Sequence, residues 1–72
     1  MENIYKKLEV VGTSKTGIED AIRDALYKAS AWEGAMRWFE VTEVRGYIEE
    51  GRVSYFQVGL KIGFSMESSR PA

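Results

Sequence analysis

A chain of 72 residues with a net charge of −1 and with neither cysteine nor histidine predicts one small domain. These absences exclude disulfides, thiolate metal sites, imidazole ligands and histidine-based acid–base catalysis. The near-neutral charge gives no reason to expect a nucleic-acid partner, and no apolar run reaches transmembrane length, so a cytoplasmic protein with no membrane partner is expected. Because so small a domain is marginally stable alone, oligomerisation is the expected means of stabilisation.

The first half of the chain predicts a strand followed by an amphipathic helix. Residues 5–11 alternate imperfectly between apolar and polar side chains, as a strand does. Residues 12–17 predict a turn and a helix start, where Thr16 and Glu19 match a capping box and Ser14 is a competing cap. Apolar residues at helical spacing then continue to a predicted end near Ala31, namely Ile18, Ala21, Ile22, Ala25, Leu26 and Ala29.

Two further strands, 38–48 and 53–64, are predicted to form a hairpin. The apolar parity of the first strand changes near residues 42–43, and a one-residue bulge there restores a single apolar face. A three-residue loop at 49–51, with Gly51 in the left-handed conformation, is a common solution for such a hairpin. The resulting register pairs Ile48 with Arg52, Val44 with Phe56, Val41 with Val58 and Phe39 with Leu60.

This register turns six side chains away from the helix, all but Val53 polar or aromatic, namely Trp38, Arg45, Tyr47, Val53, Tyr55 and Gln57. Exposed aromatic patches of this kind usually mark a partner or ligand surface. Trp38 and Gln57 are predicted to lie about four residues apart along the hairpin, which is roughly 13 Å. Either a long planar ligand spans both side chains, or the two residues meet a ligand from different subunits.

At these residues the chain resembles the dodecins, a family of small flavin-binding proteins. The resemblance runs over residues 5–67 and is most specific in four short motifs, RWFEV at 37–41, RG at 45–46, YFQV at 55–58 and GF at 63–64. It implies an α+β fold with one β-α-β-β domain, in which a three-stranded antiparallel sheet packs around one helix. It also implies a homo-oligomer, a hollow dodecamer. We assign the domain to residues 1–67 and expect residues 68–72 to form a disordered tail.

The resemblance also implies a ligand and its site. Dodecins bind flavins in pairs at subunit junctions, between tryptophan side chains of symmetry-related subunits. Trp38 matches the stacking tryptophan, Gln57 matches the glutamine that hydrogen-bonds the edge of the isoalloxazine ring, and Arg45 matches a basic residue near the flavin. An electron-rich indole suits a flat, electron-poor ring, and a glutamine offers both a donor and an acceptor. The implied role is storage or buffering of riboflavin, FMN or FAD without catalysis.

The chain departs from the family pattern at two aromatic residues. Trp32, in the segment 31–36, is interpreted as a structural plug over the core or as a subunit contact. Tyr47 replaces a smaller residue or a histidine and is expected to change the size of the pocket or the lining of a pore.

Two other functions stay open from the residues alone. One is an oligomeric shell without flavin that binds hard cations through the oxygens of Glu40, Glu43, Glu49 and Glu50. The other is an enzyme that works with a pair of carboxylates, as glycosidases do. The second has little support, because a chain of this length offers little room for a cleft.

Overall fold

The computed structural model describes residues 4–31 and 35–65, so Trp32 and the predicted tail at 68–72 lie outside the described residues. The chain forms strand β1 (Tyr5–Ser14), helix α1 (Ile18–Ala29), strand β2 (Met36–Glu49) and strand β3 (Arg52–Ser65). Both strand pairs are antiparallel, and the order β1-β3-β2 places the last strand in the middle of the sheet. The predicted α+β fold, one β-α-β-β unit with a three-stranded antiparallel sheet, is confirmed.

The connection between β1 and α1 differs from the prediction. The N-cap of the helix is Gly17, and no side chain caps it, so the capping box of Thr16 and Glu19 is wrong. The Ser14 hydroxyl instead accepts hydrogen bonds from the backbone N–H groups of Thr16 and Gly17, at 3.0 and 3.3 Å, and donates to Asp20 Oδ2 at 2.9 Å. Ser14 is the last residue of β1, which therefore runs three residues farther than predicted.

The core lies between the helix and the central strand. The helix contributes Ala21, Ala25 and Ala29, and β3 contributes Val58, Leu60, Ile62 and Phe64, each of these four at most 1% exposed. Because alanine side chains are short, the helix lies very close to β1. A Cβ added to Gly12 would collide with the Ala21 carbonyl oxygen and come within 2.9 Å of Ala25 Cβ. The helix ends at Ala29, two residues before its predicted end.

Strand β2 is only partly covered by the rest of the chain. Helix α1 packs on β1 and β3, so the apolar side chains of β2 that face the helix side of the sheet stay exposed. Phe39 is 45% exposed, Val41 41% and Val44 49%. We call these three residues the β2 apolar strip. A contiguous apolar strip of this kind is typical of a surface that a partner covers.

The hairpin has a different turn from the one predicted. Glu50 and Gly51 form a two-residue turn in which both residues have positive φ, 52° and 76°, so the predicted three-residue loop is wrong. Two register shifts that the sequence did not indicate lie between Tyr47 and Ile48 and between Met36 and Trp38. The predicted pairs are therefore wrong by one or two residues, and the observed pairs are Ile48 with Val53, Val44 with Val58, Val41 with Leu60 and Phe39 with Ile62.

The predicted bulge is confirmed between Val41 and Glu43. The bulged residue, Thr42, lies against β3 at Gly59, where an added Cβ would come within 3.0 Å of Thr42 Oγ1. Since the register error is two residues on both sides of the bulge, the side chains from Trp38 to Tyr47 keep their predicted face. Nearer the turn the error is one residue, and Val53 pairs with Ile48, so its predicted place on the face turned away from the helix is wrong. The face of the sheet turned away from the helix, here called the open face, therefore carries the predicted site residues.

Candidate functional site

Trp38 lies on the open face, with its indole over the backbone of β3. The two residues Trp38 and Gly63 are paired across the strands, and a Cβ added to Gly63 would collide with Cε2 and Cζ2 of the indole. Only glycine leaves room for the ring at this position. The side chain is 39% exposed, so the indole rests on the sheet and still offers surface to a ligand.

Lys7 completes the arrangement around the indole. It pairs with Gly63 from the other side, so one residue from each strand lies at this level of the sheet. The Lys7 ammonium lies 5.7 Å from the centroid of the Trp38 ring, within the range of a cation–π interaction. Sequence reasoning missed Lys7, because it gave no register between β1 and β3 and so nothing placed this lysine beside the tryptophan.

An apolar groove opens beside the indole. It has a volume of about 210 Å³ and is lined by side chains from the end of the helix and the start of β2, namely Leu26, Met36, Arg37, Trp38 and Phe39. Because Leu26 and Phe39 lie on the helix side of the sheet, this groove lies at the β2 edge and not on the open face.

Gln57 belongs to a second cluster on the open face, near the hairpin turn. The Tyr47 hydroxyl donates to Gln57 Oε1 at 3.1 Å and accepts from Arg45 Nη1 at 3.5 Å. The rings of Tyr47 and Tyr55 are stacked, with centroids 4.7 Å apart and planes 14° apart. Since Tyr47 occupies the oxygen of the Gln57 amide, the amide NH₂ group is the part left to donate to a ligand.

Arg45 lies directly opposite Gln57 in the pairing of β2 with β3. Its guanidinium forms an ion pair with Glu43, and both side chains are about half exposed. The structure therefore brings Arg45 and Gln57 together, whereas the predicted register placed Arg45 opposite Tyr55. The carboxylate that holds Arg45 was not part of that prediction.

Trp38 and Gln57 do not come together within one protomer. Trp38 is level with Gly63, which is six residues from Gln57 along β3, so the two site residues are roughly 20 Å apart. The predicted separation of roughly 13 Å is wrong, because the two-residue turn and the register shift between Tyr47 and Ile48 each move the pairing by one residue. One flavin ring cannot contact both residues of the same chain.

The glutamates of the cation hypothesis are engaged elsewhere or dispersed. Glu43 pairs with Arg45, and Glu49 Oε1 accepts a hydrogen bond from Ser54 Oγ at 3.2 Å. Within residues 4–31 and 35–65, no three carboxylates approach one another as a metal site requires. In the same ranges no helix is long and apolar enough to cross a membrane.

Known proteins share both the sequence and the fold of this chain. The family model for dodecin matches residues 4–67. A dodecin from Thermus thermophilus is 46% identical over 69 residues, which cover 96% of this chain and 100% of that relative. The structure of dodecin from Streptomyces coelicolor has a TM-score of 0.86 at 51% identity and covers 93% of this chain and 96% of its own. Dodecin from Streptomyces davaonensis has a TM-score of 0.87 at 38% identity, with coverage of 92% and 97%.

A more distant structure differs in what it binds. The calcium dodecin of Mycobacterium tuberculosis, described as calcium chelating, has a TM-score of 0.76 at 27% identity and covers 96% of this chain and 99% of its own. It has the same fold as this chain, and the calcium binding is described for that protein.

Proposed function

The chain belongs to the dodecin family, and from that premise we propose that it binds flavin between tryptophan side chains of neighbouring subunits, stores it and quenches its photochemistry. Dodecins are small binding proteins that form homo-oligomers, and no catalytic step is part of the proposal. Riboflavin, FMN and FAD all carry the isoalloxazine ring that this site would stack.

The observation that carries the proposal is the position of the Trp38 indole. The ring is held over Gly63 on the open face, and 39% of the side chain is exposed. A flat ligand gains stacking energy of about 0.5–1.5 kcal/mol from such a ring beyond the burial of its own surface. Because the indole is already placed, little side-chain entropy is lost when the ligand binds.

The separation of the two site residues supports a site shared between subunits. Trp38 and Gln57 are roughly 20 Å apart in one chain, so a flavin that touches both must take them from different protomers. The exposed β2 apolar strip supports the same conclusion, since it needs a covering partner. We propose that twelve subunits close the assembly, as in the family resemblance.

The polar cluster would recognise the edge of the flavin ring. Gln57 would donate from its amide nitrogen to a ring carbonyl, since Tyr47 already holds its oxygen. Arg45, held by Glu43, would place its positive charge near the ligand. A cation-binding shell without flavin remains the alternative, with less support, because the described carboxylates do not converge.

Titration of the flavin-free oligomer with riboflavin tests the proposal. Flavin emission should be quenched on binding, because a stacked indole can donate an electron to the excited ring. Native mass spectrometry of the same sample should give a large closed assembly with bound flavin. Calcium titration without flavin is the parallel test of the alternative. If the oligomer binds calcium and leaves flavin emission unchanged, the proposed function is wrong and the cation-binding shell takes its place.

A further inference from the structure

We propose that Lys7 selects among flavins by leaving the Trp38 ring to bind the phosphate of a phosphorylated flavin. The inference rests on the proposed function and adds a specificity-determining residue to the same site. The site would then prefer FMN, which carries a phosphate, to riboflavin, which carries none.

The geometry places Lys7 where a stacked ligand has to go. The β3 backbone at Gly63 lies beneath the indole and closes that side of the ring. The Lys7 ammonium, 5.7 Å from the ring centroid, therefore occupies the side that remains accessible. A flavin that stacks on the indole must displace this ammonium, whereas a small ligand that avoids the ring would leave it in place.

The charges around Lys7 decide what happens to the displaced ammonium. At the next level of the open face, Lys61 stands between Glu9 on one side and Glu40 on the other. Lys7 has no carboxylate beside it at its own level of the sheet, where its neighbours are Gly63 and Trp38. Among the described residues, no carboxylate lies within salt-bridge distance of the Lys7 ammonium. Once displaced, the ammonium has no anion among the residues that the structure describes to pair with.

A phosphate would supply that missing partner. A charge-assisted hydrogen bond from an ammonium to a phosphate oxygen is stronger than an exposed cation–π contact, so the exchange favours a phosphorylated ligand. Riboflavin offers only neutral hydroxyl groups at the same end of the molecule. It therefore loses the energy of the displaced contact without gaining an ion pair.

Replacement of Lys7 by methionine tests the inference, because it keeps the length of the side chain and removes the charge. Calorimetric titration of the assembled Lys7→Met oligomer should show FMN affinity reduced about tenfold or more. Riboflavin affinity should rise about two- to fivefold, since no ammonium then has to be displaced. Lys7→Arg should retain the preference for FMN. Lys15→Met, in the exposed bend between β1 and α1, is the matched control and should leave both affinities unchanged.

A second measurement does not depend on any variant. Raising the ionic strength should weaken binding of FMN to the unmodified oligomer more than binding of riboflavin, because salt screens the ion pair with the phosphate. Equal salt dependence, or a parallel loss of both flavins in Lys7→Met, would overturn the role of Lys7 and leave flavin binding intact. An unmodified oligomer that binds neither flavin would overturn the proposed function, and the role of Lys7 with it.

Discussion

The hydroxyl of Tyr47 donates a hydrogen bond to Oε1 of Gln57 at 3.1 Å, and the ring of Tyr47 stacks on Tyr55. The stack holds the Tyr47 ring in place, and the Tyr47 hydroxyl in turn holds the oxygen end of the Gln57 amide. Tyr47, which departs from the family pattern, thus orients Gln57, which matches it.

Removal of the Tyr47 hydroxyl should weaken flavin binding only when Gln57 is present. Tyr47→Phe keeps the ring stack and should reduce flavin affinity by about 1 kcal/mol, because the amide is then free to rotate. Gln57→Ala should cost about 1 kcal/mol or somewhat more and leave the oligomer intact, since Gln57 faces away from the core. In the double variant the Tyr47 change should add nothing, and additive losses would contradict the positioning role. Ser54→Ala, which removes a hydrogen bond to Glu49, is the control.

A methyl group at residue 63 should damage the flavin site. Gly63→Ala would collide with the indole, so Trp38 must rotate off the sheet and flavin quenching should be largely lost. Gly46→Ala is the matched control, because an added Cβ there lies 3.9 Å from the nearest atom, Phe56 Cδ1. Flavin titration with the assembly checked by size compares the two variants, and equal binding in both would mean that the position of the indole is unimportant.

Loss of the Trp38 ring should both weaken flavin binding and restore emission from whatever flavin remains bound. Trp38→Ala removes the stacking surface and the electron donor at once. Trp32→Phe should do neither, if Trp32 is only a structural plug. Steady-state emission at saturating flavin measures the difference. Loss of quenching to the same extent in both variants would show that the assignment of the stacking role to Trp38 is wrong.

Close packing of the helix on β1 should make residue 12 intolerant of a side chain. Gly12→Ala puts a Cβ into the Ala21 carbonyl, and overpacking of this kind costs about 1–3 kcal/mol. Gly17→Ala meets open space and should cost at most about 1 kcal/mol, because alanine is a poorer N-cap residue than glycine. Denaturant unfolding of both variants should be compared at one protein concentration, because assembly contributes to stability. A Gly12→Ala variant as stable as Gly17→Ala would show that helix and strand are less tightly packed.

A charge in the β2 apolar strip should prevent assembly. Val44 is 49% exposed in the protomer and lies on the helix side of the sheet, so Val44→Lys would bury an unpaired ammonium under the covering subunit. Tyr27→Lys, at a helix residue that is 78% exposed, is the control. Native mass spectrometry should show monomers or small oligomers for Val44→Lys and the unmodified assembly for Tyr27→Lys. Full assembly of Val44→Lys would remove the strip from the interface.

The order and faces of the elements could be predicted because hydrophobic periodicity determines both. The alternation of apolar residues located the strands, and the change of parity at residues 42–43 located the bulge. The turn could not be predicted, because Glu50 adopts a positive φ that a non-glycine residue seldom takes. That turn shortens the loop and moves the pairing by one residue, and the register shift between Tyr47 and Ile48 moves it by one more. Together they lengthen the distance between Trp38 and Gln57.

Within the candidate site, the face of the proposed ligand-binding side chains could be predicted, and their supporting neighbours could not. Trp38, Arg45 and Gln57 stand out as large or polar residues on a face that the core does not need. The supporting contacts run between strands, from Lys7 on β1 to Trp38 on β2 and from Tyr47 on β2 to Gln57 on β3. Such contacts depend on which residues are paired across the strands. They cannot be predicted from a wrong register, even when each side chain is assigned to the correct face of the sheet.

The strand order β1-β3-β2 also governs when the sheet can form during synthesis. Strand β3 is the middle strand and the last of the three to be made, so β1 has no partner until residues 52–65 have been translated. The pairing of Tyr5 with Ser65 closes almost the whole chain into one loop, and such distant contacts make folding slow. Until then β1 and the helix form an incomplete unit with an uncovered apolar face, which leaves the nascent chain prone to aggregation.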